Sequence, residues 1–148
     1  MTLESSATIL LVEDNPSDLE LALHALRQHK LVNHIEVARD GVEALDYVFG
    51  TGTHSSRNPN DVPRVILLDL KLPKIDGLDV LRRIRADPRT KTIPVVIMTS
   101  SHEERDLIDG YEAGVNSYIT KPVDFVQFTE VVRTLGFYWL LLNQSPRI

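Results

Sequence analysis

The sequence predicts an α/β protein in which five βα units, (βα)5, form a doubly wound parallel sheet of five strands. Short apolar runs alternate with longer segments of helical periodicity along the chain, and this alternation is typical of a parallel sheet covered by helices on both faces. The apolar runs contain few polar residues, as expected of strands buried on both sides. Capping residues precede several helical segments and mark where each helix begins.

The five predicted strands are short and apolar. They are Ala7–Val12, His34–Ala38, Val65–Asp69, Pro94–Met98 and Ser117–Thr120. The fourth begins with proline, which a strand tolerates at its first position. The third is a buried apolar run that ends on the carboxylate of Asp69, and an uncompensated buried charge is costly. Asp69 therefore needs either a position at the end of the strand or partners that hold its charge.

A helix is predicted after each strand. The five helices span 16–30, 40–48, 76–86, 101–114 and about 124–143. Asp40, Ser101 and Asp124 each stand three residues before a Glu or Gln, which is the spacing of a capping box. The segment 49–64, FGTGTHSSRNPNDVPR, is rich in Gly, Ser, Asn and Pro, and it predicts a long surface loop.

Length and composition limit the possible functions. The 148 residues fit one domain, 1–148, with no linker long enough to separate a second. The formal charge of −5 argues against sequence-independent nucleic-acid binding, which needs a basic face. The absence of cysteine excludes disulfides, thiolate zinc sites and cysteine nucleophiles. The N-terminal segment resembles neither a signal peptide nor a membrane span. We therefore expect a cytoplasmic protein that binds neither nucleic acid nor membrane.

Carboxylates stand at the ends of two predicted strands. Glu13 and Asp14 follow the first strand, and Asp69 ends the third. In open parallel sheets the ligand site lies at the carboxyl ends of the strands. If the first and third strands are neighbours, the three carboxylates meet, and two of them about 4 Å apart repel by roughly 4 kcal/mol at an effective dielectric near 20. Oxygen-only ligands suit Mg²⁺, or alternatively Mn²⁺, rather than zinc.

A hydroxyl and an ammonium are expected at the same edge. Thr99 follows the fourth strand and Lys121 follows the fifth. Carboxylates, a metal, an ammonium and a hydroxyl together indicate a site for a phosphoryl group, because the cations neutralise its oxygens while a carboxylate attacks phosphorus. The sequence thus predicts that Asp69 is a phosphoryl acceptor.

Five segments, in order and suitably spaced, resemble the receiver domain of two-component response regulators. They are LLVEDNPSD, VARDGVEAL, VILLDLKLPKIDGLDVLRRIR, IPVVIMTSS and EAGVNSYITKPVD. The resemblance covers about 7–135 and implies the flavodoxin-like strand order 2-1-3-4-5. It also implies that Asp69 accepts the phosphoryl group from a sensor histidine kinase, and that the protein switches contacts with partner proteins rather than acting as an enzyme on other substrates.

The resemblance also implies a role for each site residue. Asp14 and Asp69 bind Mg²⁺ directly, Glu13 acts through water, and the backbone carbonyl of Lys71 completes the protein ligands. Thr99 and Lys121 hold the phosphoryl oxygens. Tyr118 matches the aromatic position that rotates inward when the Thr99 position moves.

The chain is most similar in type to the single-domain response regulators that pair with cyanobacterial-type phytochromes. The loop 49–64 and the aromatic C-terminal tail carry this narrower resemblance. Glu13 is a mild departure, because many receivers have Asp there, and the extra methylene changes the reach of the carboxylate without implying loss of the metal.

The last predicted helix is more apolar than a core-facing helix needs to be. Its apolar stripe comprises Phe125, Phe128, Val132, Leu135, Trp139 and Leu142. The run FYWLLL at 137–142 covers most of the helix circumference, and large exposed apolar patches mark interfaces. We therefore expect a homodimer; the alternative is that the segment from residue 137 onward folds back on its own domain or docks only on the kinase. The interface residues would be Phe137, Tyr138, Trp139 and Leu142.

Three alternatives make different demands on the sequence. A phosphatase or mutase of the haloacid-dehalogenase type needs a second Asp two residues after its nucleophile, but this chain has Lys71 there. Such an enzyme also needs a cap domain, for which this chain has no room. A flavodoxin-like FMN carrier needs a hydroxyl- and amide-rich phosphate loop after the first strand, where this chain has Glu13 and Asp14. A degenerate receiver that serves only as a scaffold is disfavoured by the intact acidic site.

Overall fold

The computed structural model describes residues 9–27, 34–58, 61–99, 114 and 117–134. The elements, in chain order, are β1 (Ile9–Val12), α1 (Pro16–Arg27), β2 (Ile35–Ala38), α2 (Gly41–Phe49), a 3-10 helix (Gly52–His54), β3 (Val65–Asp69), α3 (Gly77–Ala86), β4 (Val95–Thr99), β5 (Ser117–Thr120) and α4 (Phe125–Thr134). The helix predicted over 101–114 lies outside the described residues except for its last position. No helix in these ranges is long and apolar enough to cross a membrane.

The five strands form one parallel sheet in the order β2-β1-β3-β4-β5, which confirms the predicted fold and strand order. β1 lies at the point where the order reverses, because β2 pairs on one side of it and β3 on the other. Ile9 is opposite both Ile35 and Val65 in the register. The carboxyl ends of β1 and β3 are therefore adjacent, at the place where open α/β sheets bind ligands.

Both faces of the three central strands, β1, β3 and β4, are buried, which explains why these strands are almost wholly apolar. Leu10, Val12, Ile66 and Leu68 belong to one core layer with the buried faces of α2 and α3. The residues that alternate with them pack on the other face with α1 and α4, namely Ile9, Leu11, Val65 and Leu67. The central strands are thereby held between two apolar core layers.

Side-chain caps begin three of the helices at the predicted positions. The carboxylates of Asp40, Asp76 and Asp124 accept a hydrogen bond from the backbone N–H three residues on, at 2.7, 3.0 and 2.8 Å. The predicted capping box at α2 differs in one respect, because the Glu43 carboxylate accepts from the backbone N–H of Arg39 at 2.9 Å rather than from that of Asp40.

Two strand boundaries and one loop differ from the sequence expectation, and the first is β2, which begins at Ile35, one residue later than predicted. β4 runs from Val95 to Thr99, one residue later than predicted. The loop after α2 is only partly solvated, because the Arg57 guanidinium lies 3.9 Å from the ring centroid of the buried Tyr47. Arg57 also donates hydrogen bonds to the backbone carbonyls of Tyr47 and Asp61, so the loop is fastened to α2. α4 is described as far as Thr134, and the predicted continuation to 143 lies outside the described residues.

Candidate functional site

The ammonium of Lys121 joins the carboxyl ends of three strands. Its Nζ lies 2.8 Å from Oε1 of Glu13, which follows β1, and 3.1 Å from Oδ2 of Asp69, which ends β3. The backbone N–H of Glu13 donates to the carbonyl of Ala38 at 2.9 Å and so extends the β1–β2 ladder by one residue. Glu13 is 1% exposed and Asp69 is 6% exposed. The carboxylate that ends the apolar third strand is therefore paired with a cation.

Three carboxylates form a cluster able to hold a metal ion. One oxygen from each of Glu13, Asp14 and Asp69 lies within 4.8 Å of the others. Glu13 and Asp69 are buried, whereas Asp14 is exposed and opens the cluster to solvent. An all-oxygen site with solvent access suits a hard divalent cation that keeps part of its water shell, such as Mg²⁺ or Mn²⁺.

Glu13 of the acidic cluster and the ammonium of Lys121 shift one another's pKa. Burial raises the pKa of Glu13 to about 7, the hydrogen bond from Lys121 opposes this rise, and the charge of Asp69 adds to it. Burial alone would lower the pKa of Lys121, but the hydrogen bond to Glu13 and the charges of Asp69 and Glu13 outweigh it and raise that pKa. Lys121 therefore remains an ammonium across the physiological pH range.

The remaining predicted site residues lie at the same edge or next to it. Thr99 is buried at the end of β4, and its backbone carbonyl accepts from the N–H of Lys121 at 2.8 Å. The backbone N–H of Lys71 donates to Oδ1 of Asp69 at 3.4 Å. Tyr118 lies in β5 opposite Ile97 of β4, and it is 37% exposed. The Lys121–Pro122 peptide bond is cis.

Asp18 is a site residue that the sequence analysis missed. Its Oδ2 lies 3.2 Å from Nζ of Lys121. Asp18 belongs to the first turn of α1, and Oδ1 of Asn15 accepts from its backbone N–H at 2.9 Å. Asn15 in turn donates its own backbone N–H to Oε2 of Glu13 at 3.1 Å. An acidic residue in the first helical turn after β1 must lie at the carboxyl edge of the sheet, and this was the signal available in the sequence.

A cavity of about 520 Å³ adjoins the acidic cluster. Its lining residues are Asp14, Leu70, Lys71, Leu72, Pro73, Asp76 and Leu78. Asp14 belongs both to the lining of this cavity and to the acidic cluster, so the cavity lies at the exposed side of the cluster. The predicted dimer residues Phe137, Tyr138, Trp139 and Leu142 lie outside the described residues.

The chain belongs to the response regulator receiver domain family, whose model matches residues 9–133. This membership, together with the parallel sheet and its acidic edge, defines the chain as a receiver domain of two-component signalling. It sets aside the dehalogenase-type phosphatase and the FMN carrier.

The chain is similar to several response regulators, some of which are phytochrome response regulators. The solved structure of the bacteriophytochrome response regulator AtBRR is 54% identical with a TM-score of 0.83, and the match covers 93% of this chain and 98% of AtBRR. The response regulator Rcp1 of Synechocystis sp. is 39% identical over 132 residues, which are 89% of this chain and 88% of Rcp1.

Two of the similar structures were solved with a metal or a phosphoryl group. The Mn²⁺-bound form of Rcp1 has a TM-score of 0.74 at 36% identity and covers 95% of this chain and 99% of that one. The phosphorylated cyanobacterial phytochrome response regulator RcpA has a TM-score of 0.75 at 38% identity, with coverages of 95% and 99%. The chain is thus related to the phytochrome response regulators.

Proposed function

We propose that this receiver domain is a phosphorylation switch in which Asp69 accepts a phosphoryl group from a histidine kinase in the presence of Mg²⁺. The observation that carries the proposal is the ammonium of Lys121, held 3.1 Å from the Asp69 carboxylate beside a three-carboxylate cluster. The phosphorylated RcpA structure and the Mn²⁺-bound Rcp1 structure support it by similarity.

In the proposed reaction the phosphoryl group passes in line from an imidazole nitrogen of the kinase to a carboxylate oxygen of Asp69. A carboxylate oxygen of Asp69 attacks phosphorus, the bond from phosphorus to the imidazole nitrogen of the kinase breaks, and its electron pair leaves with that nitrogen. The product is an acyl phosphate on Asp69. Lys121 pairs with the oxygens of the transferred group, and the hydroxyl of Thr99 donates a hydrogen bond to one of them. The protein catalyses its own phosphorylation and dephosphorylation and no other reaction.

The ligands that the protein supplies to the metal would all be oxygens. Asp14 and Asp69 would bind it through their carboxylates, Lys71 through its backbone carbonyl, and Glu13 through a water molecule. Mg²⁺ supplies positive charge that neutralises the phosphoryl oxygens during transfer. Because the carboxylates must be ionised to bind it, affinity should fall as they become protonated.

Phosphorylation should be transmitted through Thr99 and Tyr118. The phosphoryl group adds roughly −1.5 to −2 charges to the site. This charge draws the Thr99 hydroxyl inward and leaves space into which the partly exposed Tyr118 ring can turn, shifting an equilibrium between two conformations. Crystal structures with and without a phosphoryl mimic should differ in the Tyr118 rotamer or in the loop after Thr99, and identical structures would contradict this part of the proposal.

The kinase is proposed to be of the phytochrome type. Similarity to AtBRR and RcpA supports this pairing. A phosphorylated phytochrome-type kinase should transfer its phosphoryl group faster than an unrelated sensor kinase, and equal rates would contradict the pairing. Because such a kinase uses ATP, we expect the protein to be cytoplasmic.

The homodimer is proposed to use the apolar C-terminal segment. In α4, Phe128 is 1% exposed, so the inward face of this helix is already used by the core. Phe137, Tyr138, Trp139 and Leu142 follow, and aromatic residues are the side chains most enriched among interface anchors. Sedimentation at micromolar concentration should give a dimer that the double variant Trp139→Ala, Leu142→Ala dissociates. A monomeric wild type would contradict the proposal.

Labelling by a small acyl phosphate tests the phosphoacceptor. With Mg²⁺, the wild type should gain the mass of one phosphoryl group and Asp69→Asn should gain none. The variant Asp14→Ala should need much more Mg²⁺ for the same labelling. Equal labelling of wild type and Asp69→Asn would refute the assignment of Asp69, and an unchanged Mg²⁺ requirement in Asp14→Ala would refute direct ligation by Asp14.

A further inference from the structure

The Lys121 ammonium has three carboxylate partners and only three N–H donors. Glu13, Asp69 and Asp18 lie 2.8, 3.1 and 3.2 Å from Nζ. The Lys121 side chain is 10% exposed, so water has little room to compete for these donors. A phosphoryl oxygen can accept a hydrogen bond from Lys121 only if one of the three carboxylates releases its N–H donor.

Asp18 is the carboxylate that can release the Lys121 ammonium most readily. Its side chain is 34% exposed, whereas that of Glu13 is 1% exposed and that of Asp69 is 9% exposed. A partly exposed carboxylate regains water when it releases a cation, but a buried one does not. Its contact with Nζ is also the longest of the three.

Asp18 is held in place from its own helix. The cap from Asn15 fixes its backbone N–H, and Asn15 is itself bonded to Glu13. Among the described residues, the cluster able to hold a metal contains Glu13, Asp14 and Asp69 but not Asp18. Asp18 therefore adds a negative charge at the site and a partner for Lys121 without belonging to that cluster.

We infer that Asp18 is a positioning residue that retains Lys121 in the unphosphorylated protein and so restrains phosphorylation of Asp69. The inference rests on the proposed function. Two effects act in the same direction. Asp18 occupies an N–H donor of Lys121 that the phosphoryl group needs, and its charge repels an anionic phosphoryl donor. Asp18 thereby sets how readily the site accepts a phosphoryl group, and the ion pair ties this property to α1.

The variant Asp18→Asn removes the charge and nearly preserves the shape. With a small acyl phosphate and saturating Mg²⁺, its second-order rate constant of phosphorylation should rise about three- to tenfold, as expected for one fewer anion close to the reacting centre. The affinity for beryllofluoride, a phosphoryl mimic, should rise by a similar factor. Both differences should shrink at high salt, because the added ions screen a partly exposed charge.

Two matched variants separate this role from a general charge effect. Glu20→Gln removes the same charge from an exposed position two residues further along α1, and it should phosphorylate at nearly the wild-type rate. Asp18→Glu keeps the charge but changes the reach of the carboxylate, and its rate should lie closer to that of the wild type than the rate of Asp18→Asn does. An equal rise in Glu20→Gln would assign the effect to net charge and overturn the inference.

The remaining outcomes also decide the question. If Asp18→Asn folds but is phosphorylated at the wild-type rate or more slowly, Asp18 does not restrain Lys121. If it loses its thermal transition, Asp18 is a structural residue and the inference fails. If the wild type itself is not labelled on Asp69, the proposed function fails first, and the wild-type control identifies that case.

Discussion

Replacing Asp14 by Asn should stabilise the metal-free protein, because the carboxylate of Asp14 is repelled by the other carboxylates of the acidic cluster. One oxygen of Asp14 lies within 4.8 Å of an oxygen of both Glu13 and Asp69. At that distance, one carboxylate pair repels by roughly 1 kcal/mol in water-like surroundings and by roughly 3.5 kcal/mol at an effective dielectric of 20. Asp14 is exposed, so the lower figure applies to its two pairs at pH 8, where Glu13, whose pKa burial raises to about 7, is mostly ionised. The nearby ammonium of Lys121 offsets part of the repulsion, and we expect a gain of about 1–2 kcal/mol.

Urea denaturation followed by circular dichroism measures this gain directly. In buffer with chelator, the free energy of unfolding of Asp14→Asn should exceed that of the wild type. With millimolar Mg²⁺ the difference should vanish or reverse, because the wild type binds the ion more tightly and gains more from it. Glu20→Gln, which removes an exposed charge outside the cluster, should show neither effect. A destabilised Asp14→Asn without metal would refute the reasoning.

Two further predictions concern the packing of Gly77 against Asp69 and the protonation of Glu13. A Cβ added at Gly77 would lie 2.3 Å from the carbonyl oxygen of Asp69, so Gly77→Ala should cost about 1–3 kcal/mol in chemical denaturation and slow labelling of Asp69, while unchanged stability and labelling would contradict the packing. Burial raises the pKa of Glu13 from 4.5 to about 7; the native metal-free protein then holds a proton that the unfolded chain has lost. Its stability should therefore fall as pH rises from about 4.5 to 7, by at most about 3 kcal/mol. Glu13→Gln should flatten this slope, and an equal slope in that variant would contradict the assignment.

The fold could be predicted from the sequence because the apolar runs and the helix caps mark the same strands and helices that the structure contains. β3 and β5 begin and end at the predicted residues, and the aspartate caps of α2, α3 and α4 are formed by the predicted side chains. Strands buried on both faces leave only apolar runs, so their polar ends stand out in the sequence. This contrast also predicted the acidic edge formed by Glu13, Asp14 and Asp69.

Contacts between distant residues could not be predicted in the same way. Asp18 and Lys121 are 103 positions apart in the chain, and only the completed sheet brings α1 to the end of β5. The stacking of Arg57 on Tyr47 likewise depends on how a loop returns to a helix, which composition does not determine. β4 extends one residue further than its apolar run because Thr99 continues the pairing with β5.

Chemical trapping of the phosphorylated residue tests the central claim most directly. Borohydride reduces an acyl phosphate on an aspartate side chain to an alcohol, so a phosphorylated Asp69 is converted to homoserine and can be located by peptide mass. The account predicts homoserine at position 69 after treatment with phosphoryl donor and Mg²⁺, and none when Mg²⁺ is replaced by a chelator. Homoserine at another aspartate, or a phosphoryl group found only on a histidine, would contradict it.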